Sequence, residues 1–319
     1  MNTAIGNSIS EAVRFLQQGE TVGIPTETVY GLAANALDTD AVLRIFEVKN
    51  RPHFDPLIVH VHSIAEIEKY TEQIPDKAIQ LFQKFSPGPL TVLLPKKSVI
   101  PDLVTSGLPQ VAIRIPNHPL TLALLQQLDF PLAAPSANPF GYISPTTAQH
   151  VFNQLQGKTP YILDGGSTEV GVESTIIGFE NNEPVVYRLG GLSVEEIENC
   201  IGKVELQINS ASNPKTPGSL KSHYAPKKKL EIWQADNLKI DSPHAGFIGF
   251  NQYAEGINKE NQILLSPEGN LQQAAKNLFA AMRTLDDSRV EKIIAVKFPD
   301  TGLGKAINDR LQRAGTVDE

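Results

Sequence analysis

Apolar residues along this chain follow two spacings, and the alternation of the two predicts its elements. Short apolar runs, typical of buried strands, occupy 20–24, 57–62, 90–94, 111–115, 161–163, 172–177 and 185–188. Apolar residues three or four apart, the spacing of an amphipathic helix, occupy 8–18, 38–49, 75–85, 120–128 and 193–200. Strands and helices that alternate in this way favour an α/β fold.

The pattern is interrupted near residue 207 and then begins again. Residues 209–217 (NSASNPKTP) have the composition of a linker. Strands are predicted beyond it at 230–233, 247–250, 263–265 and 293–296, with helices at 271–285 and 303–313. We therefore predict a first domain at 1–208, a linker at 209–227, and a smaller, largely parallel α/β domain at 228–319.

Composition limits the classes of protein to consider. The 319 residues are 41% hydrophobic and 20% charged, which is ordinary for a globular protein. No apolar run is long enough to cross a bilayer and the start lacks the features of a signal peptide, so we expect a soluble, cytoplasmic protein without membrane contacts. A net charge of −7 argues against a protein that coats nucleic acid, and Cys200, the single cysteine, excludes an internal disulfide.

Two cations mark the end of the helix predicted at 38–49. Lys49 and Arg51 stand beside Pro52, which cannot continue a helix. They are either a solvated charged helix end or a clamp for a phosphate group, and spacing alone does not separate these interpretations. Neither of the usual phosphate loops is present: the segment ending in Gly304-Lys305 lacks the residues of a Walker A motif, and no G-x-G-x-x-G follows a strand.

Other polar residues at strand ends are less specific. His60 and His62 share one face of a strand, but no third metal ligand is evident nearby, so a packed or hydrogen-bonded role is favoured over a metal site. Ser136 and Asn138 form a polar turn framed by prolines, and Ser174 lacks the G-x-S-x-G context of a nucleophile. The residues alone thus predict an α/β protein with a phosphate-binding corner and no covalent nucleophile.

Six motifs in one order supply what spacing does not. They are TETVYGL (26–32), KNRP (49–52), PLIVH (56–60), PGPLT (87–91), APSAN (134–138) and GVEST (171–175). With the HYAP segment (223–226) and the α/β tail, the chain resembles the YrdC-like threonylcarbamoyl-AMP synthase family in its long, two-domain form.

The resemblance implies a twisted, open α/β sheet with a concave site, followed by a smaller Rossmann-like domain. It implies a nucleotidyltransferase that makes L-threonylcarbamoyladenylate from L-threonine, bicarbonate or CO₂, and ATP, with release of pyrophosphate. The product would feed threonylcarbamoyladenosine formation beside the anticodon of tRNA through downstream transferase proteins. Mg²⁺ would enter with ATP, and no stable direct contact with nucleic acid is expected.

The same resemblance assigns roles to individual residues. Lys49 and Arg51 would be catalytic, through the triphosphate. The threonine site would consist of Thr28, His60, Arg114, Ala134 and Ser174. The ATP site would consist of Lys49, Arg51, Asp55, Ser136, Asn138, Ser144, Arg188 and Tyr224, without protein ligands for a metal. Two positions depart from the family: Asp55 is commonly Asn, and Ser219 stands where a Met usually follows the glycine.

Threonine's amine would form a carbamate, whose oxygen would attack the α-phosphorus of ATP. Because such chemistry depends mainly on positioning and charge neutralisation, it needs no protein nucleophile. The labile intermediates call for a closed site, and residues 215–226 with Tyr224 are the predicted lid. Two alternatives are an RNA-binding module without catalysis and a carbamoyl-adenylate transferase that uses another amine.

Overall fold

The computed structural model describes residues 2–208, 216, 222–234 and 238–316, and these residues form two β-sheets flanked by helices. The strands of the large sheet are β1 Ala4–Gly6, β2 Val22–Ile24, β3 Gly31–Asn35, β4 Ile58–His60, β5 Leu90–Pro95, β6 Gln110–Arg114, β7 Leu132–Ala133, β8 Tyr161–Leu163, β9 Thr175–Glu180, β10 Glu183–Arg188 and β11 Glu205–Leu206. The strands of the small sheet are β12 Leu230–Trp233, β13 Gly246–Gly249, β14 Gln262–Leu264 and β15 Ile293–Val296.

Helices cover both sheets. They are α1 Ile9–Gln17, α2 Thr39–Lys49, α3 Ile64–Tyr70, α4 Asp76–Phe85, α5 Asp102–Thr105, α6 Pro119–Leu125, α7 Ala148–Leu155, α8 Val194–Ile201, α9 Leu271–Asp286 and α10 Leu303–Gly315. Within the described ranges, none of these helices is long and apolar enough to cross a membrane.

The large sheet is mixed, with the strand order β1-β8-β2-β3-β7-β4-β6-β5-β9-β10-β11. The small sheet has the order β12-β15-β13-β14, and all its pairs are parallel. The predicted α/β class, with a large open sheet and a smaller, parallel C-terminal sheet, is therefore confirmed. The predicted linker at 209–227 lies mostly outside the described residues, so its bounds stay a prediction.

Local signals in the sequence account for the helix ends. Asp38 caps α2 by accepting hydrogen bonds from the backbone N–H groups of Asp40 and Ala41. Ser193 and Glu196 form a capping box at the start of α8. Asn50 ends α2 in the left-handed conformation, which turns the chain into the cationic corner.

Some elements were not predicted, or were predicted in the wrong place. The small residues of β3 (GLAAN) carry no strand periodicity, and β3 was missed together with α3. The strand predicted at 172–177 begins only at Thr175. The carbonyl of Glu173 accepts a hydrogen bond from the N–H of Gly191, and the carbonyl of Ser174 accepts hydrogen bonds from the guanidinium of Arg188. Neither carbonyl is therefore bonded to the backbone of a neighbouring strand.

The two sheets are joined by a shared apolar cluster. Val29, Ile143 and Val172 from the N-terminal part pack with residues of α9 and the small sheet, among them Phe279 and Phe247. The C-terminal unit, defined here as residues 228–316, therefore buries part of the surface behind the TETVYGL turn.

Candidate active site

Sheet register brings distant residues together at one edge. His60 at the end of β4 lies beside Arg114 at the end of the parallel strand β6. Arg114 in turn faces Thr91 on the antiparallel strand β5, and β5 pairs with β9, which begins at Thr175. These strand ends therefore form one polar floor, as expected for a site at the edge of an α/β sheet.

A cavity lies over this floor, with about 520 Å³ of empty space that includes its opening to solvent. Eight predicted residues line it: Thr28, Arg51, His60, Arg114, Ala134, Ser136, Arg188 and Tyr224. Seven further lining residues were not predicted: Thr26, Val29, Gly31, Ile58, Pro135, Glu173 and His223. Most of these are next to a predicted residue in the same motif, and this position in the sequence could have identified them as lining residues.

Five predicted residues do not line the cavity but lie directly behind its wall. They are Lys49, Asp55, Asn138, Ser144 and Ser174, and all are buried. Each is linked by a hydrogen bond or ion pair to a lining residue. The structure thus places these five as supports of the cavity wall.

Lys49 illustrates this arrangement. Its ammonium donates to the carbonyl of Ser136 at 2.5 Å and to that of Asn138 at 2.6 Å, which holds the Ser136–Asn138 turn in place. Burial, with the nearby charge of Arg51, holds the pKa of Lys49 well below its ordinary value. The lysine side chain thus orders the turn on which Ser136 faces the cavity.

Arg51 faces the cavity and is paired with Asp55 behind it. The guanidinium lies 2.9 Å from the carboxylate of Asp55 and also donates to the carbonyls of Asp55 and Pro56. Burial raises the pKa of Asp55, an effect that Arg51 opposes. The Asp55 carboxylate is therefore paired with the Arg51 guanidinium.

The predicted threonine side of the cavity contains hydroxyls and a second arginine. The hydroxyls of Thr26 and Thr28 lie 2.8 Å apart, and Thr26 donates to the carbonyl of Val29, which fixes the turn. The guanidinium of Arg114 lies 2.8 Å from the carboxylate of Glu27, and both side chains are buried. Glu27 also accepts from the N–H of Asn117, so this pair is anchored on two elements.

His60 is a neutral side chain in the floor of the cavity. Burial, together with the charge of Arg114, lowers its pKa to about 3. His62 lies apart from it, with its ring 3.8 Å from the carboxylate of Glu66. In the described part of the chain, no three His, Cys, Asp or Glu side chains are grouped to hold a metal ion.

The opposite wall is an ionic network. The Ser144 hydroxyl donates to Glu173 at 2.6 Å, and Arg188 donates to the carbonyl and hydroxyl of Ser174. Arg310 of α10 donates to Glu173 at 2.7 Å. Burial lowers the pKa of Arg188 only to about 10, so it remains a cation at neutral pH.

Tyr224 closes the cavity from the segment that precedes the C-terminal unit. Its backbone is in the left-handed conformation (φ 63°), which is uncommon outside glycine. Its ring packs against His223 and Phe279, and burial raises the pKa of the phenol to about 12. Of the predicted lid at 215–226, residues 215 and 217–221 lie outside the described residues.

Known proteins share this architecture along its whole length. Residues 14–190 match the Sua5–YciO–YrdC family model, described as "Telomere recombination", and residues 192–316 match the model "Threonylcarbamoyl-AMP synthase, C-terminal domain". Threonylcarbamoyl-AMP synthase of Bacillus subtilis is 40% identical, over 96% of this chain and 92% of that protein. The protein of that name from Pyrococcus abyssi is also 40% identical, over 95% and 92%.

A solved structure agrees with the sequence relatives. The crystal structure of Pyrococcus abyssi Sua5 complexed with L-threonine has a TM-score of 0.90 and 38% identity, and the match covers 98% of this chain and 97% of that one. The identity and coverage both exceed what a shared fold alone requires. The chain therefore belongs to the threonylcarbamoyl-AMP synthase family, in its long two-domain form.

Proposed function

We propose that this protein is a nucleotidyltransferase that makes L-threonylcarbamoyladenylate from L-threonine, bicarbonate or CO₂, and ATP, with release of pyrophosphate. Its product is then consumed in threonylcarbamoyladenosine modification of tRNA. The observation that carries this proposal is one cavity lined by Arg51, Arg114 and Arg188, each from a different segment. Three arginines around one cavity fit a reaction whose substrates bring a carboxylate, a bicarbonate and a triphosphate.

The residues divide between two substrates. Arg114 would bind the carboxylate of threonine, while Thr28 and the backbone of Ala134 would contact its other polar groups beside the neutral ring of His60. Arg51 would contact the triphosphate, with Ser136, Arg188 and Tyr224 around the nucleotide. Support comes from the two arginines, which reach the cavity from different elements: Arg114 is the last residue of β6, and Arg51 follows the C-cap of α2.

The reaction would proceed by positioning and charge neutralisation. The threonine amine adds to CO₂ and loses a proton, giving a carbamate. A carbamate oxygen forms a bond to the α-phosphorus as the bond from that phosphorus to the pyrophosphate oxygen breaks. Arg51 offsets charge on the departing pyrophosphate, and Lys49 acts by holding the Ser136–Asn138 turn.

Magnesium would be part of the Mg·ATP substrate, bound mainly by phosphate oxygens. Among the described residues, the carboxylates of Glu27, Asp55 and Glu173 lie next to the cavity, and each is already paired with an arginine. Closure over the labile carbamate and mixed anhydride would come from the segment ending at Tyr224, which already contributes to the cavity wall.

Mass spectrometry of the product tests the proposal. The purified protein is incubated with threonine, bicarbonate and Mg·ATP, and parallel reactions replace threonine by serine or bicarbonate by carbamoyl phosphate. We expect threonylcarbamoyladenylate and stoichiometric pyrophosphate only when threonine and bicarbonate are both present. A product carrying another amine would assign the site to a different carbamoyl-adenylate, and the absence of any adenylate would refute the proposal.

A further inference from the structure

Glu173 is an unexpected residue in a cavity for anions. The residue lines the cavity, and one oxygen of its carboxylate accepts a hydrogen bond from the hydroxyl of Ser144 at 2.6 Å. Burial acts to raise its pKa, but Arg310, Arg188 and the Ser144 hydroxyl overcome this and lower it. A permanently charged carboxylate here would repel a triphosphate unless a cation neutralises it.

That cation comes from the C-terminal unit. Arg310 of α10 is fully buried, and its Nε donates to the second oxygen of Glu173 at 2.7 Å. Its other nitrogens donate to the carbonyl of Leu189 at 2.8 Å and to Asp309 at 2.6 Å. These bonds fix the guanidinium plane, so Arg310 faces Glu173 in one geometry.

Arg310 also contacts the segment that closes the cavity. Its guanidinium carbon lies 5.0 Å from the centre of the Tyr224 ring, in a cation–π arrangement. Tyr224 lines the cavity, whereas Arg310 does not. Arg310 therefore acts on the cavity from behind its wall, through its contacts with Glu173 and Tyr224 and through its charge, which also acts on Arg188 and His223.

We infer that Arg310 is a positioning residue for the nucleotide: by neutralising and orienting Glu173 and supporting Tyr224, it makes the cavity wall compatible with the triphosphate of ATP. The inference rests on the proposed function. It assigns to the C-terminal unit an electrostatic part in binding a substrate, in addition to packing. Removing the charge of Arg310 takes away the ion-pair partner of Glu173, and of the two arginines that lower the pKa of Glu173 only Arg188 then remains.

A charge cycle at equilibrium tests this inference. Binding of Mg·ATP is measured by calorimetry, without bicarbonate so that no turnover occurs, for the wild type, Arg310→Met, Arg310→Lys and the double variant Glu173→Gln/Arg310→Met. We expect Arg310→Met to weaken Mg·ATP binding about tenfold or more, which corresponds to about 1.4 kcal/mol. Arg310→Lys keeps the charge but loses the planar guanidinium with its three bonds, so it should lose affinity but less than Arg310→Met does.

The double variant separates charge from structure. Because it removes the orphaned carboxylate together with the arginine, we expect it to recover most of the lost affinity, although it lacks the bond to Leu189. Arg313→Met is the matched control, since Arg313 lies one turn along α10 and pairs with Asp309 at 3.0 Å. It should lower the melting temperature with much less effect on Mg·ATP binding.

Three outcomes would overturn the inference: Arg310→Met binding Mg·ATP as the wild type does, the double variant binding no better than Arg310→Met, or Arg313→Met weakening binding equally. If methionine at 310 prevents folding, Arg310→Gln replaces it with a polar, uncharged side chain and the same criteria apply. A wild-type protein that binds no Mg·ATP would instead refute the proposed function, so the two failures are distinguishable.

Discussion

At the Arg51–Asp55 pair, a substitution of Arg51 is expected to change both activity and stability. The guanidinium faces the cavity, and it also neutralises a carboxylate that is fully buried. The charge on Arg51 would therefore be shared between a substrate and the buried carboxylate of Asp55. Activity and stability therefore need separate readouts at this site.

We predict that Arg51→Ala reduces pyrophosphate release that depends on threonine and bicarbonate by a factor on the order of 10²–10³, comparable with the loss of an oxyanion donor. It should also lower the free energy of unfolding by about 3–5 kcal/mol, because Asp55 is left buried and unpaired. Steady-state kinetics and urea unfolding measure the two effects. The double variant Arg51→Ala/Asp55→Asn should regain stability and stay inactive; near-normal turnover in either variant would remove the clamp role.

His60 makes stability depend on pH. Its pKa is about 3 in the folded protein, lowered by burial and by Arg114, against about 6.5 for a histidine in an unfolded chain. The unfolded state therefore gains a proton first as the pH falls, and stability is lost from about pH 6.5 downwards. Above that pH the histidine is neutral in both states and contributes no pH dependence.

The wild type loses stability as the pH falls from 7.5 to 4.5. We predict that this loss is smaller by about 2–3 kcal/mol in His60→Gln. Urea unfolding of both proteins at these pH values gives the difference. His150 and His223 also have lowered pKa values because they are buried, so the variant keeps part of the acid sensitivity. Parallel loss of stability in the two proteins would show that His60 is not neutral in the fold.

At the scale of elements, the end of α2 determines where the cationic corner lies. Asn50 has a φ of 51° and donates its N–H to the carbonyls of Glu47 and Phe46, and the N–H of Arg51 bonds the same carbonyl of Phe46. The Asn50 side chain is exposed, so its conformation is its main contribution. Lys49 and Arg51 point to different partners because this residue reverses the chain between them.

We predict that Asn50→Val lowers the free energy of unfolding by about 1–2 kcal/mol, because a β-branched residue resists the left-handed conformation. It should also lower kcat/KM for Mg·ATP more than for threonine, since Arg51 is the next residue. Asn50→Gly is the matched control and should keep both values close to those of the wild type. Equal loss in the valine and glycine variants would show that the amide side chain, and not the backbone, matters.

At the scale of the whole molecule, the C-terminal unit is part of the wall behind the site. Beside the bond of Arg310 to Glu173, Tyr142 donates to Asp286 at 2.6 Å and Arg283 donates to Gln154 at 3.0 Å. Gly171 is packed so closely against α9 that an added Cβ would lie 2.4 Å from the backbone of Lys276. The two parts therefore meet at close range on both sides of Glu173.

We predict that removing residues 209–319 lowers the melting temperature and abolishes coupled synthesis, because Val29, Ile143 and Val172 lose their apolar partners and Glu173 loses Arg310. A protein cut once between residues 209 and 215 is the control, since its halves keep every contact described above. We expect the cut halves to co-purify and retain most activity. If the shortened chain keeps full stability and coupled synthesis, the predicted lid at 215–226 and the contacts of the C-terminal unit with the cavity wall are not needed for activity.

The sequence by itself determined the local features of this protein. Strand and helix periodicities predicted the α/β class and the parallel C-terminal sheet, and the caps at Asp38 and Ser193 follow from side chains next to the backbone groups they bind. Six of the eight predicted residues of the cavity wall lie in the motifs that carry the family resemblance, and the resemblance assigned Arg114 and Arg188 from outside those motifs. Periodicities, caps and motifs depend on residues that are close together in the chain, so the sequence alone can predict them.

Only the tertiary structure decided which predicted residues line the cavity and which lie behind its wall. Lys49 meets the carbonyl of Ser136 across 87 positions, and Arg310 meets Glu173 across 137. Such bonds depend on strand register and on the packing of α10 against the wall, which no local pattern encodes. Buried charges require partners, and here those partners come from segments that are far apart in the sequence.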